Sequence, residues 1–200
     1  MTQRDGADER RPVNQRPVNQ GPRAAARNRA ALLAAAREVY AEHGLDAPLS
    51  AVARRAGVGQ AVLYRHFPDR AAVAAAVLEE NVRQIERAAA APEADPARLL
   101  GILTWHLTES VAFLGVLHAD RTAPADRVRA YAQGLSDRVE QALVRHLPPG
   151  QRPAGPDLML AVAMVSGAVL GVPRAAREHR ALAAWRLLGV EVGPVAPYEE

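Results

Sequence analysis

The sequence predicts an all-α protein with two helical parts. Apolar residues recur at helical spacing along most of the chain, and no segment shows the alternation typical of β-strands. Glycine and proline separate the apolar runs, as they do between helices. Pro92 and Pro96 mark a boundary between a first part, residues 23–91, and a second part, residues 92–190.

The two ends are predicted to lie outside these helical parts. Residues 1–22 are polar, contain RPVNQ twice in succession, and have a composition that argues for disorder. Their arginines suit a basic arm that follows a nucleic-acid backbone, and a solvated segment with no role is the alternative. Residues 191–200 are predicted to be a tail.

The first part is predicted to begin with a helix at 23–43, which Gly44 ends, and to continue with a pair of short helices. The pair lies in PLSAVARRAGVGQAVLYRHFPDR, residues 48–70, where Gly57 stands at the point that needs a left-handed residue. The second helix of the pair is predicted at 60–67. This spacing is typical of a helix-turn-helix, whose second helix lies in the major groove of DNA.

A fourth helix is predicted directly after the pair, at residues 70–89. Pro68 prevents the preceding helix from continuing, and Asp69 is a favourable N-cap. Its apolar stripe consists of Val73, Val77, Leu78, Val82 and Ile85. This helix should connect the two parts.

The second part is predicted to contain four helices. The first carries an apolar face from Leu100 to Leu114, and a break at 120–124 precedes a second, whose face runs from Val128 to His146. A loop is predicted at 148–156. The segment 158–172 is apolar nearly all round, which suits burial on several sides. The last helix, 174–188, brings Leu182, Trp185 and Leu188 together.

Composition narrows the functional classes. The absence of cysteine excludes disulfides and thiolate chemistry, and no histidine pair has metal-binding spacing. No cofactor motif is present, because the glycines at 57 and 59 do not follow a strand or complete GxGxxG. Residues 1–87 contain 14 Arg and 10 acidic residues, whereas residues 88–200 contain 11 and 12. The basic surplus therefore accompanies the helix-turn-helix.

The apolar runs do not predict a membrane protein. The longest one, 158–173, is shorter than the ~20 residues that cross a bilayer. The polar N-terminus does not resemble a signal peptide. We therefore expect a soluble cytoplasmic protein.

Residues 27–87 resemble the DNA-binding domain of the TetR family of bacterial repressors. The resemblance rests on AVARRAGVGQAVLYRHFPDR at 51–70, with AG followed by V, then LYRHF, then a basic residue three positions after Phe67. It implies an N-terminal three-helix DNA-binding domain and a C-terminal helical ligand-binding and dimerisation domain. It also implies a homodimer that binds a palindromic operator on double-stranded DNA and releases it when a small-molecule effector binds.

The same resemblance implies which residues contact DNA. Tyr64 and His66 would contact phosphates, Gln60 would reach base edges or the backbone, and Arg70 would face a phosphate from the N-terminus of the fourth helix. Arg65 would add a phosphate or base contact. Ser50 would donate to the DNA backbone. The DNA-binding set is thus Ser50, Gln60, Ala61, Tyr64, Arg65, His66 and Arg70.

Three positions depart from the usual family pattern. Gly59 replaces a common serine and is a weaker N-cap. Val62 replaces a common threonine, so it offers a methyl contact to thymine in place of a hydroxyl. Ala61 replaces a frequent glycine. These departures leave the operator sequence unpredicted.

Several side chains have an alternative structural role. Tyr64 could pack against the first helix, and His43 and His146 lie on apolar stripes that predict core or boundary positions. Candidate ligand-pocket residues are Trp105, His106, Phe113 and His118, although core packing is the favoured role for each of them taken singly.

Two alternatives to a repressor remain open at this point. One is a protein with this fold that acts through protein contacts without sequence-specific DNA binding. The other is an α-helical enzyme that uses a cavity in the second part, although no base and nucleophile can be located. We therefore expect a non-enzymatic regulator.

Overall fold

A computed structural model describes residues 21–44, 47–119, 125–146 and 155–199 of the 200-residue chain. At 114–119, 125–129 and 155–156 this description covers the backbone only. The described residues form helices and no strand, which confirms the predicted fold class. The helices are α1 Pro22–His43, α2 Leu49–Arg55, α3 Gln60–His66, α4 Arg70–Ala90, α5 Pro96–Ala119, α6 Ala125–Val144, α7 Gly155–Val169 and α8 Arg174–Leu187.

The predicted local signals of the first part are confirmed. Gly57 has φ +68°, and it reverses the chain between α2 and α3. Asp69 caps α4, because its Oδ1 accepts a hydrogen bond from the amide of Ala72 at 2.7 Å. All five residues of the predicted α4 stripe are buried.

Two hydrophobic cores share α4. The first core packs α1, α2 and α3 against the first two turns of α4, and it also takes in Phe113 from α5. The ring of Phe113 meets that of Tyr40 edge-on, with centroids 5.5 Å apart. The second core joins the remainder of α4 to α5, α6, α7 and α8 around Trp185. One continuous helix therefore carries side chains in both cores.

Two predictions of helix limits and burial are wrong. α7 begins at Gly155, inside the predicted loop, because Pro156 is tolerated in a first helical turn. α7 is also not buried on several sides: Leu160 is 60% and Met164 is 53% exposed. Within one chain, α7 has helices packed on only one side. The predicted break at 120–124 and loop residues 148–154 lie outside the described residues, as do residues 1–20.

His43 is exposed, so the prediction of a core or boundary position for it is wrong. It stands at the last residue of α1, beyond the helices that cover the apolar stripe. His146 is partly buried, and its Nε2 lies 2.8 Å from the carbonyl oxygen of Ala89.

The residues after α8 pack along the beginning of α5. The amide of Gly193 donates to the carbonyl oxygen of Ala97 at 2.8 Å. A Cβ atom at Gly101 would collide with the carbonyl oxygen of Pro194, so this close approach requires glycine. Val190, Val192 and Tyr198 pack against the second core.

None of the helices in the described part of the chain is both long and apolar enough to cross a membrane. The described residues also contain no group of histidine and acidic side chains that could hold a metal ion.

Candidate nucleic-acid interface and ligand cavity

α3 is held by a few buried side chains and leaves most of its surface exposed. Leu63 is its one fully buried residue, and Phe67, which follows α3, is 3% exposed. α2 supports it through Val52 and Ala53, and the amide of Val58 donates to the carbonyl oxygen of Ala53 at 3.0 Å. The helix is therefore fixed from below, while its outer face is free to contact a partner.

The structure places four of the predicted DNA-binding residues on the exposed surface of α3: Gln60, Ala61, Tyr64 and Arg65. Tyr64 is 51% exposed, so its ring is not buried against α1. His66 and Ser50 are partly buried, and Arg70 is exposed at the first residue of α4. Gly59 makes no side-chain cap on α3, as its sequence predicts.

Phe67 is the residue that follows α3, directly before Pro68. Its backbone is extended, and its amide donates to the carbonyl oxygen of Leu63 at 2.8 Å. The guanidinium carbon of Arg29 on α1 lies 5.6 Å from the centroid of the Phe67 ring, within range of a cation–π contact. The end of α3 is thus attached to α1 by one aromatic side chain.

Arg55 is not a free cation at the end of α2. Its Nη1 donates to Glu38 at 2.8 Å and its Nη2 to Glu42 at 2.7 Å, so it links α2 to α1. The hydrogen bond from Arg55 lowers the pKa of Glu42. The sequence alone does not predict this link, because the two glutamates lie 13 and 17 residues away.

A cavity of about 540 Å³ lies between α4, α5, α6 and α7. Most of its wall is apolar, with Val82, Leu103, Leu107, Val139 and Val162 among the lining residues. Its volume falls within the ~300–1,000 Å³ range of small-molecule sites. The cavity is therefore large enough for an organic ligand.

Polar side chains line one part of this wall and connect it to α1. Asn81 lies on α4, and its Oδ1 accepts a hydrogen bond from Nη2 of Arg37 on α1 at 2.8 Å. Its Nδ2 donates to Oγ of Ser110 on α5 at 2.7 Å. Asn81 and Ser110 both line the cavity. The wall of the cavity is thus hydrogen-bonded directly to the first helix.

His106 also lines the cavity and is only 3% exposed. Burial, and then the nearby charge of Arg37, lower the pKa of His106 to about 3. The imidazole is therefore neutral near pH 7. Neither ring nitrogen has a hydrogen-bond partner among the described residues, which is uncommon for a buried polar group.

The other predicted pocket residues have different surroundings. Phe113 is fully buried against Tyr40 in the first core, and Trp105 meets the His106 ring edge-on at 4.9 Å without lining the cavity. The side chain of His118 lies outside the described residues. Sequence reasoning missed Asn81 and Ser110. Asn81 gave a signal, since it is a polar residue within the apolar stripe of α4.

The geometry defines a class of protein: a helix-turn-helix domain whose supporting helix α4 continues into a second domain with a ligand-sized cavity. Comparison with known proteins agrees. Residues 32–77 match the family model described as bacterial regulatory proteins, tetR family. A search of the sequence against curated proteins gave no match.

Solved structures extend the similarity beyond the first domain. The TetR transcriptional regulator SCO0520 from Streptomyces coelicolor is 27% identical, with a TM-score of 0.54 over 84% of this chain and 99% of that one. A TetR transcription regulatory protein from Mycobacterium vanbaalenii is also 27% identical, with a TM-score of 0.52 over 85% and 98%. Salmonella enterica GusR shares the fold at 19% identity and a TM-score of 0.52. Residues 32–77 therefore match the DNA-binding domain of the TetR family, and the chain has the fold of transcriptional regulators of that family.

Proposed function

We propose that this protein is a transcriptional repressor that binds a palindromic operator as a homodimer and releases it when a small molecule enters the cavity. The observation that carries the proposal is the exposed outer face of α3, fixed from below by Leu63 and Phe67. A short helix with exposed polar and aromatic residues over a rigid base suits insertion into a major groove. Such a regulator would act in the cytoplasm and needs no catalytic group.

The connection between the two cores supports ligand control. α4 carries Arg70 at its first residue and lines the cavity with Leu78, Asn81, Val82 and Ile85. A ligand that tilts α4 would change the separation of the two α3 helices in a dimer, which must match half-sites ~34–36 Å apart or multiples of that distance. To weaken DNA binding, the ligand must bind the mismatched conformation more tightly.

DNA binding is tested by gel shift with the DNA that flanks the gene for this protein, over a range of salt concentrations. We expect Tyr64→Ala and Arg70→Ala each to weaken binding about tenfold or more, and Arg70→Ala to reduce the salt slope by roughly one. Arg145→Ala is the matched control, because Arg145 is exposed at the far end of α6. Unchanged affinity and slope in both test variants would show that these contacts are wrong.

An absence of sequence-specific binding by the wild-type protein would favour the alternative, a TetR-fold protein that acts through protein contacts. Turnover of a small molecule by the purified protein would instead favour an enzyme. Both results differ from the expected one, in which the wild type binds DNA specifically and the variants bind it more weakly.

The exposed apolar residues of α7 and α8 support the homodimer. Leu160, Met164 and Leu187 are 60%, 53% and 89% exposed in the single chain. Since an apolar surface of this kind commonly marks an interface, we expect Met164→Glu to shift sedimentation from dimer to monomer and to weaken operator binding. Gln141→Glu, an exposed change on α6, should leave both unchanged. A monomeric wild-type protein would contradict this part of the proposal.

A further inference from the structure

The polar part of the cavity has hydrogen-bond donors that the described residues leave unused. Oγ of Ser110 accepts from Asn81, and its own proton has no acceptor among the described residues. The neutral imidazole of His106 has one N–H donor and one acceptor nitrogen, and both are unpartnered in the described part of the chain. Oδ1 of Asn81 accepts from Arg37. A ligand group with acceptor oxygens would satisfy the two unused donors of Ser110 and His106.

A positive charge lies directly behind these donors. Arg37 is partly buried, and no carboxylate in the described residues lies within ion-pair distance of its guanidinium group. Burial lowers the pKa of Arg37, and the charge of Glu80 opposes that shift. Glu80 is itself paired with Arg87 at 3.0 Å and Arg83 at 3.8 Å. Arg37 therefore contributes positive potential to this part of the cavity, and a buried cation without a close counter-ion is unfavourable.

The rest of the cavity has a different character. α5, α6 and α7 supply apolar side chains, including Leu103, Val139 and Val162. Glu140 on α6 is the one charged residue of the described part of the chain that lines the cavity, and it disfavours an anion near α6. Gln133, Ser136 and Ser166 add polar groups to this otherwise mainly apolar wall. Donors and positive charge at α4 and α5, with a mainly apolar remainder, correspond to a ligand with one anionic end.

We infer that the cavity takes an amphipathic organic anion whose carboxylate accepts hydrogen bonds from Ser110 and His106, and whose apolar body lies between α5, α6 and α7. This inference rests on the proposed function, because it names the chemical class of the effector. The carboxylate lies one side chain from Arg37 and neutralises part of its charge.

The same contact connects ligand binding to the DNA-binding domain. Asn81 separates the ligand from Arg37, and its amide holds α4 and α5 to α1 through the two hydrogen bonds described above. A carboxylate that accepts from Ser110 draws Arg37 toward the cavity. The contact between α1 and α4 then differs between the free and the ligand-bound protein.

The experiment uses three probes with the same apolar body: 2-naphthoate, 2-naphthol and naphthalene. Their binding to the purified full-length protein is measured by calorimetry at pH 7.5, where naphthoate is ionised. We expect naphthoate to bind at least about tenfold more tightly than either neutral probe, the range for charged hydrogen bonds. Arg37→Met should remove this preference and Arg37→Lys should retain most of it. Arg145→Met, which removes an exposed charge from the end of α6, should leave it unchanged.

Circular dichroism establishes that each variant is folded. If Arg37→Met does not fold, Ser110→Ala and His106→Phe take its place, and each should reduce the preference for naphthoate. Tighter binding of either neutral probe, binding of no probe, or a preference that survives in the variants would overturn the inference. Operator binding is measured separately, without any probe. The inference about the ligand can therefore be disproved while the proposed DNA-binding function is retained. Tight naphthoate binding with no effect on operator binding would instead contradict ligand control.

Discussion

The two regions that carry the proposed function are packed in opposite ways. The base of α3 is filled by small and aromatic side chains, with Ala53 1% and Phe67 3% exposed. The region between α4 and α7 contains a cavity of about 540 Å³ and a buried histidine that has no hydrogen-bond partner among the described residues. DNA recognition needs a helix in one fixed position, whereas ligand control needs space and alternative contacts. Rigid packing and adaptable space therefore lie near opposite ends of one helix, α4.

The largest expected effect comes from the base of α3. Phe67→Ala removes a ring that joins the end of α3 to the first core, and such truncations cost about 3–5 kcal/mol. We expect a corresponding fall in the free energy of unfolding, measured with urea. Tyr64→Ala, an aromatic truncation on the exposed face of α3, should change stability by only about 0.5 kcal/mol. Similar losses of unfolding free energy in Phe67→Ala and Tyr64→Ala would contradict the difference in packing between the base and the outer face of α3.

An intermediate effect distinguishes the filled region from the region with a cavity. Ala53→Leu forces three additional carbons into the contact between α2 and α3, and overpacking typically costs about 1–3 kcal/mol. Ala132→Leu places the same side chain at the wall of the cavity, where there is room for it. We therefore expect the midpoint temperature of thermal unfolding to fall in Ala53→Leu and to stay the same or rise in Ala132→Leu. Equal destabilisation would mean that the cavity is not open space in solution.

No effect of His106 is expected at neutral pH; one appears only at acidic pH. Its pKa of about 3 in the folded protein lies below the ordinary value of 6.5, so the unfolded state binds the proton more tightly. Its contribution favours folding above pH 6.5 and is lost as the pH falls toward 3, by up to about 1.4 kcal/mol per unit. His106→Phe removes this dependence.

The measurement for His106 is the difference in unfolding free energy between the wild type and His106→Phe at pH 7 and pH 5. Taking the difference cancels the titration of carboxylates that both proteins share. We expect the wild type to lose stability relative to the variant as the pH falls. A constant difference would show that His106 titrates normally in the folded protein.

Much of the fold could be predicted because its signals are local. The positive φ of Gly57, the cap formed by Asp69 and the apolar stripe of α4 all depend on residues within one or two helical turns. The motif at 51–70 likewise predicted the resemblance to TetR regulators from contiguous residues, and the family model over residues 32–77 and the solved structures confirmed that resemblance.

The cavity could not be predicted in the same way, because its polar residues meet across helices. Asn81 contacts Arg37 and Ser110, which lie 44 and 29 residues away in the sequence. Of the four residues proposed for a pocket, His106 lines the cavity, while Phe113 lies in the first core. Aromatic and histidine content suggested a pocket, but only packing distinguishes a wall from a core.

Neighbouring residues and backbone preferences are enough to predict the helix-turn-helix, its resemblance to TetR regulators and the capped start of α4 soon after α3. Three other features depend on how distant helices pack: Arg55 joins α2 to α1, Phe113 completes the first core, and Asn81 stands between a cavity and Arg37. The two groups of features differ in the range of the interactions that produce them. Caps, turns and amphipathic stripes form within a few residues, whereas cavities and polar networks exist only after distant helices have packed together.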